Sequence, residues 1–167
     1  MWYVIQVYTG QEEKIVQQCR ERVVEESEEV FIPLVERMSK IRGEWMPVKT
    51  RLFPGYVFIE TTDPEELYIR LKKIKFMTKL LKTGEEITPL HSEEEEYLKR
   101  LQDEEHVVRY SEGWLEGDRL VVNSGPLKGY EGKIKKILRH KRLVVLEVPL
   151  LGRQVKVTLG LGVVEKQ

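Results

Sequence analysis

Cysteine, long apolar runs and targeting signals are scarce or absent in this chain of 167 residues. Its one cysteine, Cys19, excludes an internal disulfide framework and a thiolate metal cage. No apolar stretch approaches the ~20 residues that span a bilayer. The N-terminus has neither the basic flank nor the cleavage site of a signal peptide. These absences predict a soluble, cytoplasmic protein with no membrane partner.

Signatures of catalysis and of cofactor binding are also missing. The chain has no phosphate-binding loop and no glycine-rich dinucleotide motif after a strand. Gly125, Gly129 and Gly132 lie between two predicted strands, where turn geometry explains them better than a nucleotide does. The three histidines are scattered without metal-ligand spacing. We therefore expect no enzymatic activity, no cofactor and no metal.

Charge is distributed unevenly, although the formal net charge is zero. Residues 1–84 carry a net +1, residues 85–116 a net −8 and residues 117–167 a net +7. Such asymmetry indicates two functional units joined by an acidic segment, and a basic unit is suited to meet nucleic acid. We predict one domain at residues 1–102, an acidic linker at 103–116 and a second domain at 117–167.

The first part of the chain alternates predicted strands and helices in the order β-α-β-β-β-α-β. Trp2 to Tyr8 is an aromatic and β-branched run typical of a strand, and the helical spacing that follows buries Cys19. The run at residues 52–59 is the strongest strand, and its apolar continuity indicates a central place in a sheet. A further strand is predicted at residues 76–82. This order predicts an α+β fold in which helices lie on one face of an antiparallel sheet.

Beyond residue 117 the pattern changes to short strands separated by turn residues. Strands are predicted at residues 119–123, 133–138, 143–148 and 154–159. About fifty residues of short strands at this spacing predict a small all-β barrel.

Three local signatures coincide in order along the chain and make it resemble a known family. They are Trp2-Tyr3-Val4, Phe53-Pro54-Gly55-Tyr56-Val57, and a run from Gly117-Asp118-Arg119-Leu120-Val121-Val122 through Gly125-Pro126-Leu127, Tyr130-Glu131-Gly132 and Leu151-Gly152-Arg153 to Val164-Glu165-Lys166. With these signatures the chain resembles the NusG family of transcription elongation factors over nearly its whole length. The resemblance implies an N-terminal NGN α/β sandwich and a C-terminal SH3-like KOW barrel. The acidic middle and the basic KOW unit also resemble the LoaP-type antitermination paralogues.

For the NGN domain, the resemblance implies docking on the clamp helices of RNA polymerase, which favours processive elongation. Aromatic side chains suit such a contact, since anchors of this type dominate interface energies. Strand periodicity places Tyr56 and Phe58 on one face, and we expect that face to be exposed; the interpretation that these rings are core stays open. The positions carried over as polymerase-binding are Trp2, Tyr8, Phe53, Pro54, Tyr56 and Phe58.

The predicted hairpin around Gly43 matches the family segment that lies near the non-template DNA strand. Basic residues there are candidate contacts to DNA phosphates, and a solvated basic hairpin is the equal alternative. These candidates are Lys40, Arg42, Lys49 and Arg51.

The resemblance also implies that the KOW domain recruits a ribosomal protein or a termination factor through apolar residues on its loops. The matching positions are Leu127, Tyr130, Leu150 and Leu151. The first two depart from the phenylalanine that is typical of the family. A general NusG-type factor without an RNA target is therefore the alternative function, and a ribosome-associated protein is a third.

The charge of the KOW unit favours a nascent-RNA hairpin as its partner. Lysine and arginine contacts to the RNA backbone supply affinity, and shape supplies much of the specificity. A solvated surface that balances the acidic segment is the alternative. We expect the protein to act as a monomer. The candidate RNA-binding residues are Lys128, Lys133, Lys135, Lys136, Arg139, His140, Lys141, Arg142, Arg153 and Lys156.

Overall fold

The computed structural model describes residues 1–74, 79–80, 82–83, 86–87 and 89–165. In these residues the α-helices are α1 (Glu12–Arg22), α2 (Pro64–Leu71) and α3 (Ser92–Leu101). The strands are β1 (Trp2–Gln6), β2 (Glu29–Phe31), β3 (Leu34–Ile41), β4 (Glu44–Arg51), β5 (Tyr56–Glu60), β6 (Lys79–Leu80), β7 (Lys82–Thr83), β8 (Glu86–Ile87), β9 (Val107–Val108), β10 (Ser111–Glu116), β11 (Arg119–Ser124), β12 (Ile134–Leu138), β13 (Leu143–Leu150) and β14 (Arg153–Glu165).

The chain divides into two compact units. The first unit consists of Met1–Pro33 and Phe53–Glu96, and the second of Leu34–Leu52 and Tyr97–Gln167. The β3–β4 hairpin, which we predicted within the first domain, therefore belongs to the second compact unit.

The first unit is built on a sheet with the strand order β2-β5-β1-β6. Its two central strands, β1 and β5, are antiparallel, with Tyr3 opposite Ile59 and Ile5 opposite Val57. Helices α1 and α2 cover the face that carries these side chains, and Cys19 of α1 is fully buried in the resulting core. Helices α1 and α2 therefore lie on the Val57 and Ile59 face of the sheet.

Local sequence explains where α2 begins and how it is anchored. The Asp63 carboxylate accepts a hydrogen bond from the Glu66 N–H at 3.1 Å, and Pro64 occupies the first turn, where its missing N–H costs nothing. Near the other end of the helix, the Arg70 guanidinium pairs with both oxygens of Glu28, at 2.7 Å and 3.0 Å. The ion pair ties α2 to the segment that precedes β2.

The second unit contains the predicted barrel, a five-stranded sheet with the order β11-β10-β14-β13-β12. The strands are antiparallel except β10 and β14, which pair in parallel. Aliphatic side chains fill its interior, among them Val144, Leu146 and Leu159, each with 0% of its surface exposed. A second sheet in this unit has the order β4-β3-β9.

Glycine permits a close approach between the barrel and the hairpin strand β3 within the second unit. A Cβ on Gly160 would lie 2.7 Å from the Glu36 carbonyl oxygen and 2.8 Å from Cδ2 of Tyr110. Only a residue without a side chain fits there.

The prediction that residues 103–116 form a linker is wrong, because this segment contains two strands. Val107–Val108 pairs with β3, and Ser111–Glu116 is an interior strand of the barrel sheet. Its acidic and polar composition suggested a linker, but strand pairing on both sides of β10 outweighs composition. The strand predicted at residues 76–82 falls partly outside the described residues, of which 79–80 and 82–83 are strands.

Candidate functional site

The turn at Pro54-Gly55 is held against the end of β1 by a buried carboxylate. Glu12 is 0% exposed, and its two oxygens accept the N–H of Gly10 at 2.6 Å and the N–H of Gly55 at 2.8 Å. Gly55 has a φ of +87° and also bonds through its carbonyl to the Val7 N–H at 2.8 Å. The turn is therefore a fixed feature, and glycine is required in it because of the positive φ.

An aromatic cluster occupies the sheet face opposite α1 and α2. The ring centroids of Trp2 and Phe31 are 5.0 Å apart, and those of Phe31 and Phe58 are 5.6 Å apart. Phe53 stacks on Phe58 at 5.9 Å. Offset and edge-to-face contacts of this kind stabilise a core beyond the area that they bury.

Burial contradicts the expectation that the Tyr56/Phe58 face is exposed. The exposed fractions are 2% for Trp2, 3% for Phe53 and 0% for Phe58, so these three residues are core and not contact residues. Strand periodicity places Tyr56 and Phe58 on one face but gives no information on the neighbouring strand, nor on Phe53, which precedes the strand and stacks on Phe58. Phe31 of β2, which the prediction omitted, supplies the ring that packs against both Trp2 and Phe58.

Main-chain hydrogen bonds of Trp2 hold the first strand to the segment around the start of α3. The Trp2 N–H donates to the Glu95 carboxylate at 2.7 Å, and the Trp2 carbonyl accepts the Leu90 N–H at 2.9 Å. The first strand is thereby secured to the start of α3 as well as to β5.

Three of the predicted polymerase-binding residues are accessible. Tyr8 is 63% exposed, Pro54 is exposed and Tyr56 is half-buried. They are neighbours, because Gln6 pairs with Tyr56 across the sheet and the Pro54-Gly55 turn bonds to Val7. We call Tyr8, Pro54 and Tyr56 the turn surface.

The β3–β4 hairpin presents most of the predicted DNA-contact residues. Its turn consists of Arg42 and Gly43, with φ of 52° and 82°, the left-handed pair that a tight hairpin needs. Lys40, Arg42 and Lys49 are exposed, and Arg51 is half-buried.

The basic residues of the barrel concentrate on β12 and the turn that follows it. Seven of the ten predicted RNA-binding residues lie between positions 133 and 142. All ten are exposed except Arg139 and Arg142, which are half-buried. Lys156 of β14 lies directly opposite Glu147 of β13, so the charge of this lysine is partly offset.

Arg142 has a structural role that conflicts with its predicted contact to RNA. Its guanidinium lies 4.3 Å from the centre of the Trp45 ring of the hairpin, a cation–π contact. It also hydrogen-bonds to Tyr110, whose pKa is raised by burial in spite of this contact. The guanidinium thus joins the barrel to the hairpin within the second unit. Arg142 is therefore a structural residue and no longer a candidate for RNA binding.

The predicted partner-binding residues of the barrel are only partly accessible. Leu127 and Leu150 are 0% exposed and belong to the barrel core, which contradicts their assignment to a contact surface. The Leu127 N–H donates to Oγ of the buried Ser111, so the Gly125-Pro126-Leu127 turn points its leucine inwards. Tyr130 and Leu151 are half-buried and remain accessible.

The described residues show neither a metal cluster nor a reactive thiol. They contain no group of three or more His, Cys, Asp or Glu residues able to hold a metal ion. Burial raises the pKa of Cys19 to about 12, so the thiolate that would act as a nucleophile is not formed near neutral pH. In the same part of the chain, the helices are too short or too polar to cross a bilayer.

Sequence reasoning missed Phe31 and Trp45, two residues that shape these surfaces. Phe31 lies in a strand whose partner the sequence does not reveal, and the Arg142 guanidinium that lies over Trp45 comes from a distant part of the chain. A carboxylate near Gly10 at the start of α1 is a signal for backbone N–H binding, but the bond from Gly55 to Glu12 has no signal in the sequence.

Comparisons with known proteins agree with this architecture. The family model described as "Transcription termination factor nusG" matches residues 1–99, and the model "KOW motif" matches residues 116–147. An α/β sheet unit of this kind followed by a KOW barrel defines a transcription factor of the NGN–KOW class. The chain belongs to the NusG family, because the first model covers more than half of it.

Individual relatives are similar over nearly their whole length. The chain is 26% identical to the transcription termination/antitermination protein NusG of Haemophilus influenzae, with 99% of this chain and 93% of the relative covered. It is 25% identical to the protein of the same name from Halalkalibacterium halodurans, with 99% and 97% covered. A solved structure titled "Domain interaction in Thermotoga maritima NusG" matches with a TM-score of 0.51 at 20% identity, covering 95% of this chain and 92% of that one. That likeness shows the fold.

Proposed function

We propose that this protein binds RNA polymerase through its first unit and promotes processive elongation and antitermination, in the manner of the LoaP-type paralogues. Its membership of the NusG family supports the class of function. The turn surface supports the position of the contact, because two tyrosines flank a rigid turn that the Glu12 carboxylate holds. Rigid aromatic anchors lose little conformational entropy on binding.

The accessible turn surface is the observation that carries the polymerase proposal. In this proposal Tyr8, Pro54 and Tyr56 touch the polymerase. Trp2, Phe53 and Phe58 form the aromatic core beneath the sheet, so their substitution affects folding first. Cytoplasmic action as a monomer is part of the same proposal.

The polymerase proposal is tested by the double variant Tyr8→Ala/Tyr56→Ala. We expect loss of co-purification with RNA polymerase, by about a hundredfold in affinity if both rings are anchors. Circular dichroism should stay unchanged, since neither ring is in the core. The matched control is Ile69→Ala, which removes a side chain that is 61% exposed on α2. Equal binding by the two proteins would refute the assignment.

We propose that the hairpin lies along the non-template DNA strand in the same complex. Its support is the exposure of Lys40, Arg42 and Lys49 at and near the hairpin turn. Lysine and arginine there suit phosphate contacts, which carry no sequence preference.

We propose that the basic surface of the barrel binds a nascent-RNA hairpin. The support is the concentration of exposed cations between positions 133 and 142 in a region of net +7. Backbone contacts of this type are salt-dependent because counterions are released from the RNA.

The RNA proposal is tested on the full chain by the double variant Lys133→Gln/Lys141→Gln. With a leader-hairpin RNA, we expect affinity to fall about tenfold. The slope of log affinity against log salt should shrink by about 1 for each RNA phosphate that the variant no longer neutralises. The matched control, Lys72→Gln/Lys73→Gln, removes the same charge from the first unit. An equal loss of affinity in both variants would show diffuse attraction and contradict a barrel site.

The second candidate is a general factor whose barrel recruits a ribosomal protein or a termination factor. The accessibility of Tyr130 and Leu151, each outside the barrel strands, favours it. If the second candidate is right, Tyr130→Ala weakens capture of the ribosomal protein or termination factor and leaves RNA affinity unchanged. If the barrel acts through RNA instead, the same variant leaves readthrough of a terminator unchanged.

A further inference from the structure

We propose that the groove between the two edge strands of the barrel is a second binding site, which takes an extended acidic peptide of a partner protein by strand addition. The groove has a volume of about 680 Å³ and lies within the second unit. Residues of β11, of β12 and of the turn before β12 line it. Neither Tyr130 nor Leu151 lines it.

Strand order is the first observation behind this proposal. In the described part of the chain, β11 and β12 stand at opposite ends of the five-stranded sheet, so each has one side without a partner strand. Because both strands line one groove, the curved sheet brings these two edges to face each other. An edge strand carries a row of N–H and C=O groups ready to pair with an added strand.

The side chains between these edges suit a peptide. Leu120, Ile134 and Ile137 line the groove and are half-buried, so alternate apolar side chains of an added strand have surfaces to cover. The residues that line the groove in the described part of the chain include no aromatic ring. Single-stranded nucleic acid is held by base stacking on aromatic rings, so the lining favours a peptide over RNA.

Charge indicates that the peptide is acidic. Arg119 lies on one wall, and Lys135 and Lys136 lie on the other, all three exposed. Of the two carboxylates in the lining, Glu131 already accepts the Gly129 N–H at 3.0 Å and Asp118 lies outside the strands. Cations on both walls favour carboxylates on a strand between them.

A β-bulge places the two lysines. The register of β12 against β13 shifts between Ile134 and Lys136, so Lys135 is the extra residue. In a regular strand two successive side chains point to opposite faces, whereas the bulge leaves both lysines exposed and lining the groove. Bulges are common beside functional sites because they redirect side chains.

The proposal is tested with the full chain and a fluorescein-labelled ten-residue peptide of alternating glutamate and valine. Fluorescence polarisation should show saturable binding. The variant Lys135→Glu/Lys136→Glu should bind about tenfold more weakly. The matched control Lys72→Glu/Lys73→Glu changes charge equally at exposed positions of the first unit and should stay within about twofold. Absence of saturable binding, or equal weakening in both variants, overturns the proposal.

Hydrogen exchange locates the peptide. Strand addition should slow exchange of backbone amides in β11 or β12 when peptide is present, because these amides gain partners. Protection elsewhere with none at either edge overturns the proposal. Protection of the same edges by a twelve-nucleotide single-stranded RNA, without protection by the peptide, assigns the groove to RNA and overturns it as well. Neither result bears on polymerase binding by the turn surface.

Discussion

Two buried carboxylates in the first unit illustrate how a single side chain holds together hydrogen-bond donors from separate segments of the chain. Glu12 accepts the N–H groups of Gly10 and Gly55 at once, and so joins the turn after β1 to the Phe53–Val57 signature. Glu28 receives Arg70 and also the Thr61 hydroxyl, at 2.5 Å. Each carboxylate accepts hydrogen bonds from nearby donors, and this is the condition under which a carboxylate is tolerated inside a protein.

The Glu28–Arg70 pair predicts a dependence of stability on pH. Burial acts to raise the pKa of Glu28, but hydrogen bonds from Arg70 and Thr61 outweigh it and lower the pKa to about 2. The unfolded chain titrates near the ordinary value of about 4.3. The stabilisation, roughly 3 kcal/mol, is therefore fully present above about pH 5 and is lost as the pH falls towards 2.

Urea unfolding between pH 2 and pH 7 measures this contribution. The variant Glu28→Gln should have a smaller free energy of unfolding at pH 7 and a flatter pH profile in the acid range. Glu66→Gln is the control, because Glu66 is 3.9 Å from Arg70 and its side chain is 56% exposed. If Glu28→Gln kept the steep wild-type profile, another group would be responsible.

At the scale of secondary-structure elements, the formation of a strand depends on its neighbours in the fold more than the formation of a helix does. The first two helices begin where their local signals place them, at Glu12 and Pro64. Strand β10 has no comparable signal, since it contains Glu112, Gly113 and Glu116, yet it pairs with β11 and β14. In the hairpin, the Trp45 ring contacts two cations, Lys40 at 5.9 Å and Arg142 at 4.3 Å from its centre. Pairing across long sequence distances is decided by the fold.

Packing of β14 against β3 predicts a large difference between two glycine substitutions. Gly160→Ala would force a methyl group to within 2.7 Å of a backbone oxygen, which should cost about 1–3 kcal/mol of unfolding free energy. Gly132→Ala meets nothing within 4 Å and should change it by less than about 0.5 kcal/mol. Thermal or urea unfolding of the two variants checks this. A Gly160→Ala protein as stable as wild type would show that the two strands separate readily.

For the molecule as a whole, the boundaries of the two compact units do not coincide with the positions where the net charge of the sequence changes. The acidic segment 85–116 suggested a boundary, but it contains α3, β9 and β10, which are integral to the described fold. The net charge of a segment reports on solubility and partners, not on where a domain ends. The second unit also recruits residues 34–52 from early in the chain.

This partition predicts how fragments behave. A fragment of residues 117–167 lacks β10, which pairs with two barrel strands, and should be unfolded. A fragment of residues 109–167 retains all five strands of the barrel sheet and should fold. Dispersion of amide signals in NMR spectra distinguishes the two. A well-dispersed spectrum from the shorter fragment would mean that β10 is dispensable.

The amino-acid sequence by itself determined the family, the α+β class with a terminal barrel and the burial of Cys19. These follow from periodicity and from turn residues, which act over a few positions along the chain. Only the tertiary structure decided that Trp2, Phe53, Phe58, Leu127 and Leu150 are core, that Arg142 packs on Trp45, and that two strand edges line one groove. The reason is physical: periodicity shows which residues share a face, whereas exposure depends on what distant strands bring against that face.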